Sequence, residues 1–268
     1  MIEKYKNEEI LEQLTQAEKI LVGIGEEFDA ENALGQNREY AEGCNILKAA
    51  GFGWAIPLWN NYCFERLGDA ALSSAIRKLS VILRGKDVFL VSTSINDTIA
   101  GSGIRAVMPC GSLQKKQCVE GCEEVLLNMT EEDIDKIWQG FEVLFEEGEK
   151  SLLKSGELLC LGNCPKCGRP LVLNTVYAEN YNEHGYLDHW NEYTKWLQGT
   201  LNKKLLVLEL GVGMRFPSVI RWPFEKVVFF NQKAFLCRVN EKLYHLTEEL
   251  AEKGCGISVN AIDWLNQL

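Results

Sequence analysis

The stretch KKLLVLELGVG, residues 203–213, indicates a buried strand that runs straight into a glycine turn. Two earlier stretches follow the same pattern: KILVGIG at 19–25 also ends at a glycine, and DVFLVSTS at 87–94 ends in small polar residues. Continuous apolar strands of this kind are typical of a parallel sheet covered by helices on both faces. Ligands of such sheets bind at the carboxyl ends of the strands. The sequence therefore predicts an α/β fold with its site at these three strand ends.

The patterns elsewhere in the chain support this fold class. Apolar residues recur at helical spacing over 130–145, and Thr130 is placed to cap that helix, with Asp133 three residues on. The other predicted elements are helices at 8–18 and 261–268, an irregular, partly helical stretch up to about residue 84, and short strands at 234–240 and 256–260.

Composition and charge argue against several classes of protein. The chain has 268 residues, of which 38 are acidic and 28 basic, giving a formal net charge of -10. Because proteins bind phosphate backbones through basic faces, this balance argues against a nucleic-acid partner. No apolar run reaches the roughly 18 residues that indicate a membrane span, and the charged start MIEKYKNEEI is unlike a secretory signal. We therefore expect a cytoplasmic protein with neither a nucleic-acid nor a membrane partner.

The first glycine turn, GIG at 23–25, is a weak dinucleotide motif, because the third glycine of G-x-G-x-x-G would fall at Phe28. Two carboxylates, Glu26 and Glu27, follow at once. A helix N-terminus at this position would attract a phosphate, and the carboxylates would repel it. They could instead satisfy the helix dipole themselves. Both alternatives argue against tight pyrophosphate binding at this turn.

Ten cysteines stand against three histidines, and four of the cysteines form two close pairs. Cys118 and Cys122 lie in CVEGC, whereas Cys164 and Cys167 lie in CPKCG. Two such pairs can supply a closed, tetrahedral zinc site, in which turn amides hydrogen-bond the thiolates. A redox C-x-x-C is the alternative, but that pair normally follows a strand of a βαβ unit, and this one follows a charged loop. We predict structural zinc, with Cys160 as a worse-spaced substitute ligand.

The order of these features resembles that of the sirtuins, the NAD-consuming deacylases and ADP-ribosyltransferases. The resemblance covers nearly the whole chain. Its second half, with CPKCGRPLVLN, KKLLVLELGVGMRFPSVIRWPFEKV and RVN, is similar to the class M, macrodomain-linked sirtuins. The resemblance implies a Rossmann-like NAD-binding domain at 1–107 and 201–268, and a small zinc-binding module inserted at 108–200. It also implies a protein substrate, which in the class M branch is a lipoylated, glycine-cleavage H-like carrier.

The family's motifs match this chain unevenly. The strand end T-x-N-x-D falls on residues 92–96, so Ser94 stands where the family has the asparagine that orders the nicotinamide ribose, and Asn96 where it has the aspartate. A register one residue later is the alternative. The histidine that serves as general base is replaced by Cys110. The resemblance implies Ser94, Asn96 and Cys110 as catalytic residues, and Gly23, Gly25, Ser94, Asn96, Gly211, Val212, Gly213, Arg215 and Asn240 as residues that bind NAD or ADP-ribose.

The missing histidine argues against deacylation, because a thiol has a reference pKa of about 8.5, against about 6.5 for histidine, and burial raises it further. ADP-ribosyl transfer needs no such base; it needs strained NAD and a stabilised cation. We therefore expect a sirtuin-type, NAD-dependent protein ADP-ribosyltransferase or NAD-cleaving enzyme. Two alternatives stay open. One is a degenerate sirtuin-fold module that binds NAD, ADP-ribose or another nucleotide for sensing or partner binding, and the other is a different enzyme built around Cys110.

Overall fold

The fold is built on two sheets. The structure, a computed structural model, describes residues 2–67, 70–147 and 157–268. Its strands, in chain order, are β1 Lys19–Ile24, β2 Val88–Ser92, β3 Ala106–Val107, β4 Gly111–Cys118, β5 Leu126–Asn128, β6 Leu171–Thr175, β7 Leu205–Leu210, β8 Ala234–Val239 and β9 Gly254–Ile257. Of the described strands, six form a parallel sheet in the spatial order β3-β2-β1-β7-β8-β9, and three form an antiparallel sheet in the order β5-β4-β6. The prediction of an α/β fold is confirmed.

Helices cover both faces of the large sheet. The described α-helices, in chain order, are α1 Ile2–Gln16, α2 Ala30–Leu34, α3 Arg38–Ala49, α4 Ile56–Leu67, α5 Ala70–Ile82, α6 Asp97–Ala100, α7 Glu131–Glu147, α8 Leu187–Gln198, α9 Arg221–Phe230 and α10 Ala261–Gln267. On one face, α1, α5 and α10 pack around Ile20 and Val22 of β1, and on the other α8 and α9 pack around Leu21. Among the described helices, none combines the length and the apolar composition needed to cross a membrane.

The position of β1 between β2 and β7 brings the predicted strand ends together. Ile24 at the end of β1 stands opposite Ser92 on β2 and Leu210 on β7. Glycine is required just before this end, because a Cβ at Gly23 would lie 2.6 Å from Cγ2 of Ile220. The three strand ends therefore open at one edge of the sheet, as the sequence predicts.

The small antiparallel sheet shares a separate hydrophobic cluster with α4 and α7. Trp59 of α4 and Phe141 of α7 lie 5.2 Å apart, centroid to centroid, and Leu173 of β6 is buried in the same cluster. Helix α7 begins where the sequence predicts. The Asp133 N–H donates to the Thr130 hydroxyl at 3.1 Å, and the Asp133 carboxylate accepts the Thr130 N–H at 2.9 Å. This reciprocal cap stabilises the helix that supports the small sheet.

The structure differs from the sequence patterns at several points. Helix α1 covers Ile2–Gln16 rather than 8–18. The last strand covers 254–257 rather than 256–260, because Asn260 caps the N-terminus of α10. Helix α8 lies within the stretch predicted as the insert, yet its Trp196 packs against Phe89 of β2, with ring centroids 5.8 Å apart. The boundaries of the two domains stay a prediction.

Candidate functional site

A cavity of about 270 Å³ opens at the carboxyl ends of β1 and β2, where the large sheet meets the small one. Its walls include Asn96 after β2, Cys110 before β4 and Arg215 after β7, all of which the sequence singles out. Asp29, which follows the first glycine turn, lies in the same wall and was missed. Nothing in the acidic run EEFDAE that contains Asp29 indicates that its side chain is buried.

Asp29 is a buried carboxyl group with a raised pKa. Burial raises this pKa from its ordinary value of 3.8 to about 6, and the negative charges of Glu26 and Glu31 add to the rise. The Ser94 hydroxyl and the Arg215 guanidinium act in the opposite direction. The Asp29 Oδ2 lies 3.1 Å from Nη1 of Arg215. At neutral pH the group is therefore an anion poised to accept a proton or to face a developing cation.

Cys110 faces the cavity as a neutral thiol. The residue is 2% exposed. Burial raises the pKa of the thiol to about 12, and the negative charge of Asp29 adds to the rise. Because a thiolate is needed for both basicity and nucleophilic attack, this environment argues against either role for Cys110 at neutral pH.

Ser94 and Asn96 are held in a tight loop after β2. The Ser92 hydroxyl donates to the Ser94 carbonyl at 2.8 Å and accepts the Ser94 N–H at 3.1 Å. The Asn96 side chain accepts the Thr98 N–H at 2.8 Å, which caps α6. The Ser94 side chain is buried beside Asp29, whereas Asn96 lines the cavity. The register assigned to this motif stays a prediction.

The two glycine turns form a second group of predicted residues, beside the cavity. A Cβ at Gly25 would clash with the backbone of Val212, and the Gly25 N–H donates to the Leu210 carbonyl at 3.0 Å. Gly211 has a φ of +62° and donates its N–H to the Val239 carbonyl at 2.8 Å. The turns therefore pack directly against each other, which only glycine at these positions allows.

The glutamates after the first turn cap backbone groups far along the chain. The Glu27 carboxylate accepts the N–H groups of Glu241 and Ala261, each at 2.7 Å. Glu26 accepts the Arg215 N–H at 2.5 Å. The hydrogen bonds of these carboxylates go to the backbone of Arg215, Glu241 and Ala261, so they differ from the expected role of satisfying the dipole of their own helix.

Buried charges fill the edge beyond the second glycine turn. The Glu209 carboxylate accepts from Nε and Nη2 of Arg238, at 2.7 and 3.0 Å, and lies 3.1 Å from Nη2 of Arg221. Asn240 is also engaged: its amide donates to the Val212 carbonyl at 3.3 Å and its oxygen accepts the N–H groups of the next loop. These groups hold the strand ends in place.

The four predicted zinc ligands converge. The Sγ atoms of Cys118, Cys122, Cys164 and Cys167 all lie within 4.8 Å of one another. Sulfur atoms about 2.3 Å from a tetrahedral zinc ion would be about 3.8 Å apart, so the cluster has the size that a zinc ion requires. The amides of Lys166 and Cys167 hydrogen-bond the Cys164 sulfur and, against the opposing effect of burial, help to lower its pKa to about 7. The cluster could therefore hold zinc as four thiolates, and Cys160 lies outside it.

We expect Asp29→Asn to stabilise the fold by about 1 to 3 kcal/mol at pH 8 and to have little effect at pH 4. The folded-state pKa lies above that of the unfolded chain, so the ionised carboxylate costs stability. That cost is absent below about pH 4, grows up to about pH 6 and is complete above it. Urea unfolding at the two pH values measures the difference. Glu31→Gln is the matched control, and an equal effect of Asp29→Asn at both pH values would contradict the raised pKa.

The fold matches solved sirtuin structures over nearly its whole length. Sir2Tm bound to a propionylated peptide superimposes with a TM-score of 0.54 at 14% identity, covering 98% of this chain and 96% of that one. Sir2Af2 bound to a myristoylated histone peptide gives 0.53 at 15% identity, over 98% and 94%. A Sir2 homologue in complex with NAD gives 0.52 at 13% identity, over 97% and 91%. The chain therefore has the sirtuin fold.

Curated proteins match shorter segments. A protein ADP-ribosyltransferase of Staphylococcus aureus is 28% identical over 95 residues, or 34% of this chain and 29% of that protein. A Fusarium oxysporum protein named "probable bifunctional ADP-ribose hydrolase/ADP-ribosyltransferase" is 34% identical over 67 residues, or 24% of this chain and 11% of that protein. The matches thus span less than a third of either relative. No protein-family model matches the chain.

Proposed function

We propose that this chain uses NAD and transfers ADP-ribose to a protein acceptor, rather than removing acyl groups. The observation that carries the proposal is the cavity at the strand ends, which places the Asp29 carboxylate beside Ser94 and Cys110. The sirtuin fold supports NAD as the substrate, and relatives named as ADP-ribosyltransferases support the reaction.

Asp29 supplies what this transfer needs. The bond between nicotinamide and ribose C1′ breaks, and its electron pair leaves with nicotinamide. An acceptor nucleophile then bonds to C1′ and gives up its proton. The Asp29 carboxylate offers negative charge to the cation-like C1′, and its pKa of about 6 lets it take that proton. Deacylation also needs a base for a ribose hydroxyl, and the protonated Cys110 thiol, at the position that the resemblance gives to that base, is not one.

Nucleotide binding without turnover is the second candidate function. It is favoured by Asn96, one of the predicted catalytic residues, because its side-chain oxygen accepts the Thr98 N–H and so caps α6. In this role the cleft would bind NAD, ADP-ribose or another nucleotide as a sensing or partner module.

Zinc and the acceptor complete the proposal. Cys118, Cys122, Cys164 and Cys167 would hold the ion, which in a closed four-thiolate site supports folding rather than catalysis. Sir2Tm bound to a propionylated peptide and Sir2Af2 bound to a histone peptide support a protein acceptor. A lipoylated H-like carrier is the acceptor we propose to test first.

Nicotinamide release separates the two candidate functions. We expect the pure protein to release nicotinamide from NAD faster with the lipoylated carrier than without it, and Asp29→Asn to lower the rate at least about tenfold, as loss of a proton-accepting group does. Chromatography of the products measures the rate, and Cys110→Ala is expected to keep it. Release no faster than without protein, together with measurable ADP-ribose binding, would favour the binding module.

A further inference from the structure

The carboxyl-end edge of the sheet already binds an anion, which is the chain's own Glu27 carboxylate. One carboxylate oxygen accepts the Glu241 N–H and the other the Ala261 N–H, each at 2.7 Å. The two amides come from different loops, one after β8 and one at the start of α10. Converging backbone amides of this kind are how loops at strand ends bind phosphate oxygens. The amides are therefore arranged for an anion, and Glu27 fills the position.

The cations at this edge are also engaged by carboxylates. Nη1 of Arg215 lies 3.1 Å from Asp29, and Nη2 lies 3.1 Å from Glu31. Its backbone N–H is taken by Glu26. At this surface a pyrophosphate would find the positive charge of Arg215 neutralised by carboxylates. The nearest backbone amides are already hydrogen-bonded to glutamates.

The glycines that the family resemblance assigns to the nucleotide make room for these glutamates. A Cβ at Gly211 would lie 2.6 Å from Cβ of Glu27. A Cβ at Gly213 would overlap the carboxylate of Glu26. The space that the missing side chains of these glycines leave is thus filled by the glutamates of the chain itself.

We propose that Glu27 is a specificity-determining residue whose carboxylate competes with the pyrophosphate of a nucleotide for the amides of Glu241 and Ala261. The inference rests on the proposed function for the identity of the nucleotide. Glu27 is half-buried, so its carboxylate reaches water once it is displaced. Until that happens, phosphate groups add little to the affinity of a nucleoside for this edge of the sheet.

Two substitutions of Glu27 test the competition without unfolding the edge. Glu27→Ser removes the carboxylate, and Glu27→Gln keeps its shape but not its charge. Helix α10 retains a cap in both, because the Asn260 side chain accepts the Ile262 N–H at 3.0 Å. Burial raises the pKa of Glu27, so a neutral replacement removes the cost of holding the ionised form, which offsets part of the cost of leaving the two amides without their acceptor.

Glu18→Gln is the matched control. The Glu18 carboxylate also accepts a backbone N–H, that of Lys204 at 2.9 Å, but it does so at the opposite end of the sheet. Any general effect of removing a carboxylate that caps a backbone amide would appear in this variant as well. Thermal melting of all variants checks that each is folded.

Calorimetry measures the affinity of each variant for inorganic pyrophosphate, ADP-ribose and adenosine. We expect both Glu27 variants to bind pyrophosphate and ADP-ribose at least about tenfold more tightly than the unaltered protein, since hydrogen bonds to a charged group become available. The Glu27 variants should bind adenosine as the unaltered protein does. The Glu18→Gln variant should bind all three compounds with unchanged affinity. Unchanged pyrophosphate affinity in folded Glu27 variants, or an equal gain for adenosine, would overturn the inference. A gain for pyrophosphate without binding of ADP-ribose or adenosine would support the competition and instead overturn the proposed nucleotide function.

Discussion

Cys164→Ser is expected to lower bound zinc from about one ion per chain to nearly none, and to lower the free energy of unfolding by more than about 4 kcal/mol. The Cys164 side chain is 3% exposed and packs in the hydrophobic cluster of the small sheet. Its sulfur lies within 4.8 Å of the three other cysteine sulfurs. Serine keeps the approximate size of the side chain but is a poor zinc ligand, so the three remaining thiolates lose the positive charge that holds them together.

Elemental analysis and urea unfolding measure the two effects. Cys160→Ser is the matched control, because Cys160 is exposed, lies four residues earlier and is outside the cluster. We expect it to keep both the zinc and the stability. Unaltered protein that carries no zinc when freshly purified, or a control that loses as much zinc as Cys164→Ser, would show that the ligand set is wrong.

Arg238→Met is expected to destabilise the fold by about 3 to 5 kcal/mol, because it leaves a buried carboxylate poorly paired. Glu209 and Arg238 are 0% and 1% exposed. Even with its arginine partners, burial raises the pKa of Glu209. Without Arg238, the carboxylate keeps only Arg221, at 3.1 Å. The loss should shrink at low pH, since protonation of Glu209 removes the buried charge.

Urea unfolding of Arg238→Met, of a double variant and of a surface control measures the contribution of the Glu209–Arg238 pair. The double variant Glu209→Met with Arg238→Met should recover a large part of the loss, since apolar residues often replace a buried ion pair without cost. Lys203→Met, which breaks a surface pair with Glu18 at 3.1 Å, should cost less than about 1 kcal/mol. If Arg238→Met lowers the free energy of unfolding no more than Lys203→Met does, Glu209 is not left as an unpaired buried charge.

Much of the fold can be predicted from patterns of neighbouring residues. The apolar run of β7 and the cap at Thr130 are both read from neighbouring residues, and both lie in the structure where they are expected. The cysteine pairs are also local: spacing within each pair limits the geometry, and the structure brings the two pairs together. Short elements with weak patterns are less well predicted, as the shifted strand β9 shows.

Asp29 shows what such patterns miss. An aspartate in an acidic run is ordinarily a solvated surface residue, and nothing in its neighbours indicates burial. Only the packing of Asp29 into the cavity wall raises its pKa to about 6. The same holds for Cys110, whose thiol is neutralised by its surroundings and not by its sequence context.

The fold class, the three strand ends and the four cysteines that could hold zinc are all predictable without the structure, because each depends on residues that lie close together along the chain. Only the folded chain shows which backbone groups the carboxylates at that edge contact. Glu27 reaches the amides of Glu241 and Ala261 across 214 and 234 residues of chain. The physical reason is that a carboxylate's partners and its desolvation depend on which distant loops the topology of the sheet brings beside it.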